Sequence, residues 1–228
     1  HTLSMAFAGG YEQQEHEQIN LTQKIKNLAK NRAVLKISLV FILYYIANYV
    51  AVPYYGAYCV GALGFNLKTV SVFTIISSAS RILVSRFWGA FADKKGFAKM
   101  LEKCLLFVAL SFVCMAFSVP QNGLLTYGVY VILHGVSMGG INSAMINLIY
   151  DYVDTDMRAD ALAITQAVAG LTGFLTTLAV SPLVAHIQNR GDSIFGIQLY
   201  APQVLSILGV ILTIVVICYI RFTGMKIK

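Results

Sequence analysis

Six long apolar runs, separated by short polar breaks, constrain this chain more than any other feature. They cover Val34–Tyr58 (interrupted by Pro53), Thr69–Ala90, Leu101–Val119, Leu124–Ile149, Ala161–Ala185 and Leu199–Ile220. Each meets or approaches the roughly 20 residues that a helix needs to cross hydrocarbon. Inside a bilayer every backbone N–H and C=O has to be paired within its own segment, so runs of this length predict helical rods. A membrane barrel would instead show short strands of alternating polarity. The expected fold class is therefore all-α, a polytopic membrane protein. Its six transmembrane helices lie over 34–221, with a leader at 1–33 and a tail at 222–228. Composition agrees: 57% of residues are hydrophobic and 12% charged, against about 25% charged in a soluble domain.

Pro120, Asn122 and Gly123 mark the turn between the third and fourth runs, and Asn189 to Asp192 the turn between the fifth and sixth. Asp156 or Asp160 is placed to cap the fifth. Basic residues then set orientation, because cytoplasmic connections carry the excess of Lys and Arg. Lys24, Lys26, Lys30, Arg32 and Lys36 precede or edge the first run. Arg86, Lys94, Lys95, Lys99 and Lys103 surround the second connection, Arg158 sits in the fourth, and Arg221, Lys226 and Lys228 end the chain. With six crossings all of these fall on one side, and the other side holds only Lys68 and Arg190. Both termini are expected to be cytoplasmic, in the cell membrane. The net charge of +7 thus reads as topology signal. No basic stripe interleaved with aromatics suggests nucleic acid. Within the leader, Tyr11–Gln18 is rich in Glu and Gln and Ile19–Ala33 is basic. The second part suits a linker lying partly as a surface helix; residues 1–18 are equally compatible with disorder. Because the sequence starts at His1, a fragment or half of a longer protein is expected.

Polarity is distributed in threes. The first run holds Tyr44, Tyr45, Asn48, Tyr49, Tyr54 and Tyr55, and the fourth holds Tyr127, Tyr130, His134, Ser137, Asn142, Ser143 and Asn147. The third and sixth are almost wholly apolar. The two triplets start on opposite sides of the membrane, the pattern of two inverted three-helix repeats around a central path. The polar helices are then expected to line that path and the apolar ones to face lipid.

The second connection reads Arg86-Phe-Trp-Gly89-Ala-Phe-Ala-Asp93-Lys94-Lys-Gly96-Phe-Ala-Lys99-Met-Leu101. Gly89 suits close helix approach, Asp93 suits a helix start or an ion pair, Lys94 and Lys95 suit anionic headgroups, and Gly96 suits a tight reversal. This stretch resembles the cytoplasmic signature of the major facilitator superfamily at Gly89, Asp93, Lys94, Gly96 and Leu101. It departs at Phe97 and Ala98, where that family usually has bases. The resemblance implies a secondary transporter that moves a small solute by alternating access, with Gly89, Asp93, Lys94 and Gly96 as a conformational latch. Since that family usually has twelve spans joined by a cytoplasmic linker, it also implies that this chain is the carboxyl-terminal half, partnered by an amino-terminal six-helix half. A six-span, solute-binding membrane subunit of a larger transport complex is the alternative, and a non-transporting regulator of the same fold a third reading.

Buried polar groups are costly in lipid and mark substrate paths. Tyr127, Tyr130, His134 and Ser137 recur on one face of a helix. Tyr44, Asn48 and Tyr55 align similarly, and Gln166, Thr172 and Thr176 are second-rank candidates. Aromatic and amide groups of this kind suit a small organic solute. Arg81 lies five residues from Arg86, about 7.5 Å of helix; it either snorkels to the interface or faces the path and binds an anion. Gly135 and Gly139 form a small-xxx-small pair, as roughly do Gly170 and Gly173. Apart from Glu102 at the edge of the third, no Asp or Glu falls within the six runs. The four cysteines are scattered without metal-ligand spacing. With no nucleotide loop or nucleophile–base pair either, no catalytic residue, metal or cofactor is expected.

Overall fold

The computed structural model describes residues 30–191, 193–194 and 197–223. Most of the leader (1–29) and most of the tail (224–228) lie outside these described residues. The chain forms α1 (Arg32–Tyr49), α2 (Val52–Gly61), α3 (Leu67–Lys95), α4 (Phe97–Ala116), α5 (Gly123–Tyr152), α6 (Arg158–Asn189) and α7 (Ala201–Phe222). A 3₁₀ turn, Thr155–Met157, precedes α6. A ribbon of two residues per strand, β1 (Ser193–Ile194) and β2 (Ile197–Gln198), joins α6 to α7. The protein is thus an all-α, polytopic membrane protein, as the apolar runs predict.

Local chemistry sets the boundaries. Asn31 caps α1, its side-chain oxygen accepting from Ala33 N at 2.9 Å, and Asn66 caps α3 by accepting from Thr69 N at 2.8 Å. The first rod breaks between Tyr49 and Val52, because Pro53 has no N–H to give to the carbonyl four residues back. That carbonyl, Tyr49 O, accepts instead from the Thr177 hydroxyl of α6 at 3.1 Å. The expected cap of the fifth rod is corrected: α6 starts from Met157 with no side-chain cap, and Asp160 sits inside its first turn. Arg158 secures this corner by donating to Val153 O at 3.0 Å.

Rod lengths also depart from the apolar runs. α3 continues past Ala90 to Lys95, and α4 starts at Phe97 rather than Leu101. Five helical segments (α1 with α2, α3, α5, α6 and α7) are long and apolar enough to cross a membrane. The sixth, α4, carries Lys99, Glu102 and Lys103 in its first two turns, which shortens its apolar part.

Contacts at the two ends show that the rods alternate in direction. At one end Tyr58 and Gln203 both donate to Ser118 O, at 2.6 and 2.8 Å, tying α2 and the start of α7 to the residues just past α4. At the other end Arg221 Nε, late in α7, donates to Glu102 early in α4 at 2.9 Å. The main packing pairs are α4 with α5 and α7, α3 with α5, and α1 with α6 and α7. Exchanging first rod for fourth, second for fifth and third for sixth sends each of these pairings onto another of them or onto itself. The hydropathy triplets therefore have a counterpart in packing.

The apolar rods α4 and α7 each have two faces. Leu106, Leu110 and Val113 of α4 and Ile207, Ile211 and Ile214 of α7 are outward. The two rods pack on each other, and α4 buries Met100, Leu101, Cys104, Leu105, Val108, Phe112 and Met115 along one side. The most exposed rods are α3 and α6, the second of each triplet, with Ile75, Ile82, Leu83 and Phe87 outward on one and Leu171, Phe174, Leu175 and Leu178 on the other. The physical reason is geometric. The third and sixth rods meet at the pseudo-symmetry axis, so each has one face inside and only its back outside.

Candidate functional site

α5 organises the polar interior. Tyr127, Val131, His134, Met138, Asn142 and Met145 follow one another at spacings of three and four, which places them on one stripe. Two cavities open along that stripe. The first, about 340 Å³, is walled by Phe41, Tyr44, Tyr45, Asn48 and Tyr49 of α1, by Met138, Asn142, Met145 and Ile146 of α5, and by Gln166 of α6. The second, about 250 Å³, is walled by Phe73, Thr74, Ser77, Ser78 and Arg81 of α3 and by Tyr127, Tyr130, Val131 and His134 of α5.

Sequence places α3 against α5 at this depth through glycine. A β-carbon at Gly135 would stand 2.7 Å from Ser77 O, and one at Gly139 would stand 2.9 Å from Arg81 O. The two backbones therefore touch, as the small-xxx-small pair predicts, and Arg81 is delivered beside His134. Gly173 of α6 is likewise closed over by the Tyr49 ring, 3.0 Å from where its β-carbon would be. Gly170 faces open space, so the second small pair is only half used.

In the first cavity Tyr45 stacks on Tyr49, with centroids 5.4 Å apart and planes at 7°. The buried Tyr44 hydroxyl donates to Met138 Sδ at 3.0 Å. Asn48 Oδ1 is buried without a hydrogen-bond partner. In the second, Tyr127, Tyr130 and His134 form an aromatic column, with steps of 5.4 and 5.3 Å, the Tyr130–His134 step being stacked. His134 Nδ1 is also buried without a partner. An unpaired buried acceptor costs about 1–3 kcal/mol, so one residue lining each cavity carries an uncompensated polar atom among the described residues.

Of the candidates from sequence, Tyr44, Asn48 and Gln166 meet in the first cavity and Tyr127, Tyr130 and His134 in the second. Two lie elsewhere. Tyr55 is buried behind the column, edge-on to Tyr130 at 5.0 Å, its hydroxyl within 2.8 Å of Ser206 Oγ. Ser137 is fully buried and donates to His134 O at 2.7 Å, so it lines neither cavity. Thr172 and Thr176 also bond carbonyls of their own helix.

Arg81 stands at the midpoint of α3, which runs on to Lys95. Its side chain is exposed, and it lines the second cavity beside His134. No carboxylate pairs with it among the described residues.

The cytoplasmic-signature residues sit apart from both cavities. α3 and α4 are joined by Gly96 alone, with φ +84° and ψ 155°, a conformation only glycine adopts without strain. Two expected roles are corrected here. Asp93 does not cap the next helix: the α4 cap is Gly96, without a side-chain bond, and Asp93 is exposed with no partner among the described residues. Gly89 is not a point of close approach within these helices, since a β-carbon there would meet nothing within 4 Å. Lys94 is exposed in the last turn of α3.

Residues 10–177 match the family described as Major Facilitator Superfamily. No curated protein matches the sequence.

Proposed function

We propose that this chain, which belongs to the major facilitator superfamily, is the carboxyl-terminal half of a secondary transporter that carries a small solute through the cytoplasmic membrane by alternating access. The observation that carries this reading is the α5 stripe. It sets two cavities end to end along one rod and leaves a buried, unpaired polar atom on one residue lining each, Asn48 Oδ1 and His134 Nδ1. Tyr44, Asn48, Gln166, Tyr127, Tyr130 and His134 are the path-lining residues. Ser137 and Tyr55 support them from behind, one through its own helix and the other through Ser206.

The inverted packing supports rocking around a midplane site. In that motion an amino-terminal six-helix half is the partner. Both termini are cytoplasmic in this reading, since the ends of α3, α5 and α7 and the starts of α1, α4 and α6 gather the basic residues. Asp93 and Lys94, exposed at the Gly96 reversal, are free to engage that partner half as a latch. In the family a solute and the surrounding lipid are the obligatory partners.

Uptake by proteoliposomes of the full-length protein tests the reading. The Asn48→Leu variant, at unchanged protein level, should lose at least about tenfold in solute uptake, because a buried polar contact of 1.4 kcal/mol corresponds to about tenfold. Uptake by Asn48→Leu equal to that of the parent would remove α1 and the first cavity from the path.

A further inference from the structure

We infer that Arg81 and the aromatic column of α5 form a subsite for a small organic carboxylate with a flat apolar body. This rests on the transporter reading above and names the substrate class for it.

The chain contains ten acidic residues, and none falls between Glu17 and Asp93. On α5, the helix that Arg81 faces, the first acid is Asp151, near its far end. Asp93 is about 18 Å away along α3. Arg81 therefore has no counter-ion built into these helices. Arg81 shares its cavity with His134, and Met138, one helical turn further along α5, lines the other cavity with Tyr44. A ligand seated at Arg81 thus touches the junction of the path, not a side niche.

The chemistry of the walls selects among anions. A planar guanidinium fork matches a carboxylate bidentately. Arg81 is the sole cation lining the cavity among the described residues, which favours a single negative charge over a phosphate dianion. Tyr127, Tyr130 and His134 offer stacked ring surface beside it, and a flat, unsaturated or aromatic body packs against such rings. The hydroxyls of Ser77 and Ser78 line the same cavity and supply hydrogen bonds for a polar substituent.

The test uses full-length protein in nanodiscs and a matched series: benzoate, benzamide and benzylammonium, with inorganic phosphate as a separate arm. Calorimetry should show benzoate binding at least tenfold tighter than benzamide or benzylammonium, with phosphate weaker than benzoate. Arg81→Gln should abolish that preference, Arg81→Lys should retain part of it, and both variants should keep the parent elution profile. Benzamide or phosphate binding as tightly as benzoate, or an unchanged benzoate preference in Arg81→Gln, would overturn the assignment. The second outcome would also mean that an acid from outside these helices already neutralises Arg81. Proteoliposome uptake of the same solutes separates the two readings. Benzoate that binds but is never carried leaves the subsite standing and removes transport. Carriage of benzamide or benzylammonium without discrimination by Arg81 leaves transport standing and removes the subsite.

Discussion

At the scale of single residues, the structure shows how polar atoms are disposed of when water is absent. Most hydroxyls in the rods bond carbonyls one turn back, as Ser111, Ser206 and Thr213 do. Thr177 does more: besides Gly173 O one turn back, it reaches across to the Tyr49 carbonyl that Pro53 leaves open. We expect Thr177→Val to lower stability by about 1 kcal/mol, read as a lower midpoint in detergent unfolding, with the helical signal lost mainly from the first rod. An unchanged midpoint would show that water or lipid serves that carbonyl equally well. Residue chemistry was partly legible in sequence. The polar faces of α1 and α5 stood out because polar groups are rare inside apolar runs. What sequence could not show is which side of its helix a hydroxyl turns to, and so Ser137 passed for a lining residue. Arg81 was legible only as a choice between the interface and the path, because sequence does not show which neighbours a side chain on α3 meets; it lines the cavity that holds His134.

At the scale of helices, close approach decides position. Gly135 and Gly139 let the α3 and α5 backbones meet, and this contact puts Arg81 beside His134. Gly135→Val should drive the two rods apart, because even its first carbon would collide with Ser77 O. We expect a loss of about 1–3 kcal/mol in stability and a loss of carboxylate binding larger than that seen for a valine at the open Gly170. Equal effects at the two glycines would show that the α3–α5 contact is not what forms the cavity. The small-residue spacing was readable beforehand. The unequal use of the two pairs was not, because spacing reports which residues share a face and is silent on what the face meets.

At the scale of the whole molecule, the triplet pattern in hydropathy and the exchange symmetry in packing are two views of one arrangement. Sequence reading captured the repeat, since it depends only on the order of polar and apolar rods. It saw only the outward face of the apolar rods, because hydropathy measures avoidance of water and both lipid and protein interior satisfy it. Orientation is testable at this scale. In a cysteine-free background, Lys94→Cys should react with an impermeant maleimide only after the cytoplasmic side is opened, and Lys68→Cys in intact cells. Labelling of Lys94→Cys from outside would reverse the assigned topology.

The junction at Gly96 has a mechanical corollary. A single residue spans less than about 4 Å, so the lower ends of α3 and α4 cannot part. Glu102, little more than one turn further on, is clasped by Arg221 at the close of the final rod. A tilt of α3, such as a bound solute pulling on Arg81 would produce, is therefore passed through a crank one residue long into α4 and from there to α7. The rod that carries the charge is geared to the scaffold through this junction at one end and through the Phe65–Phe73–Tyr127 ring cluster at the other.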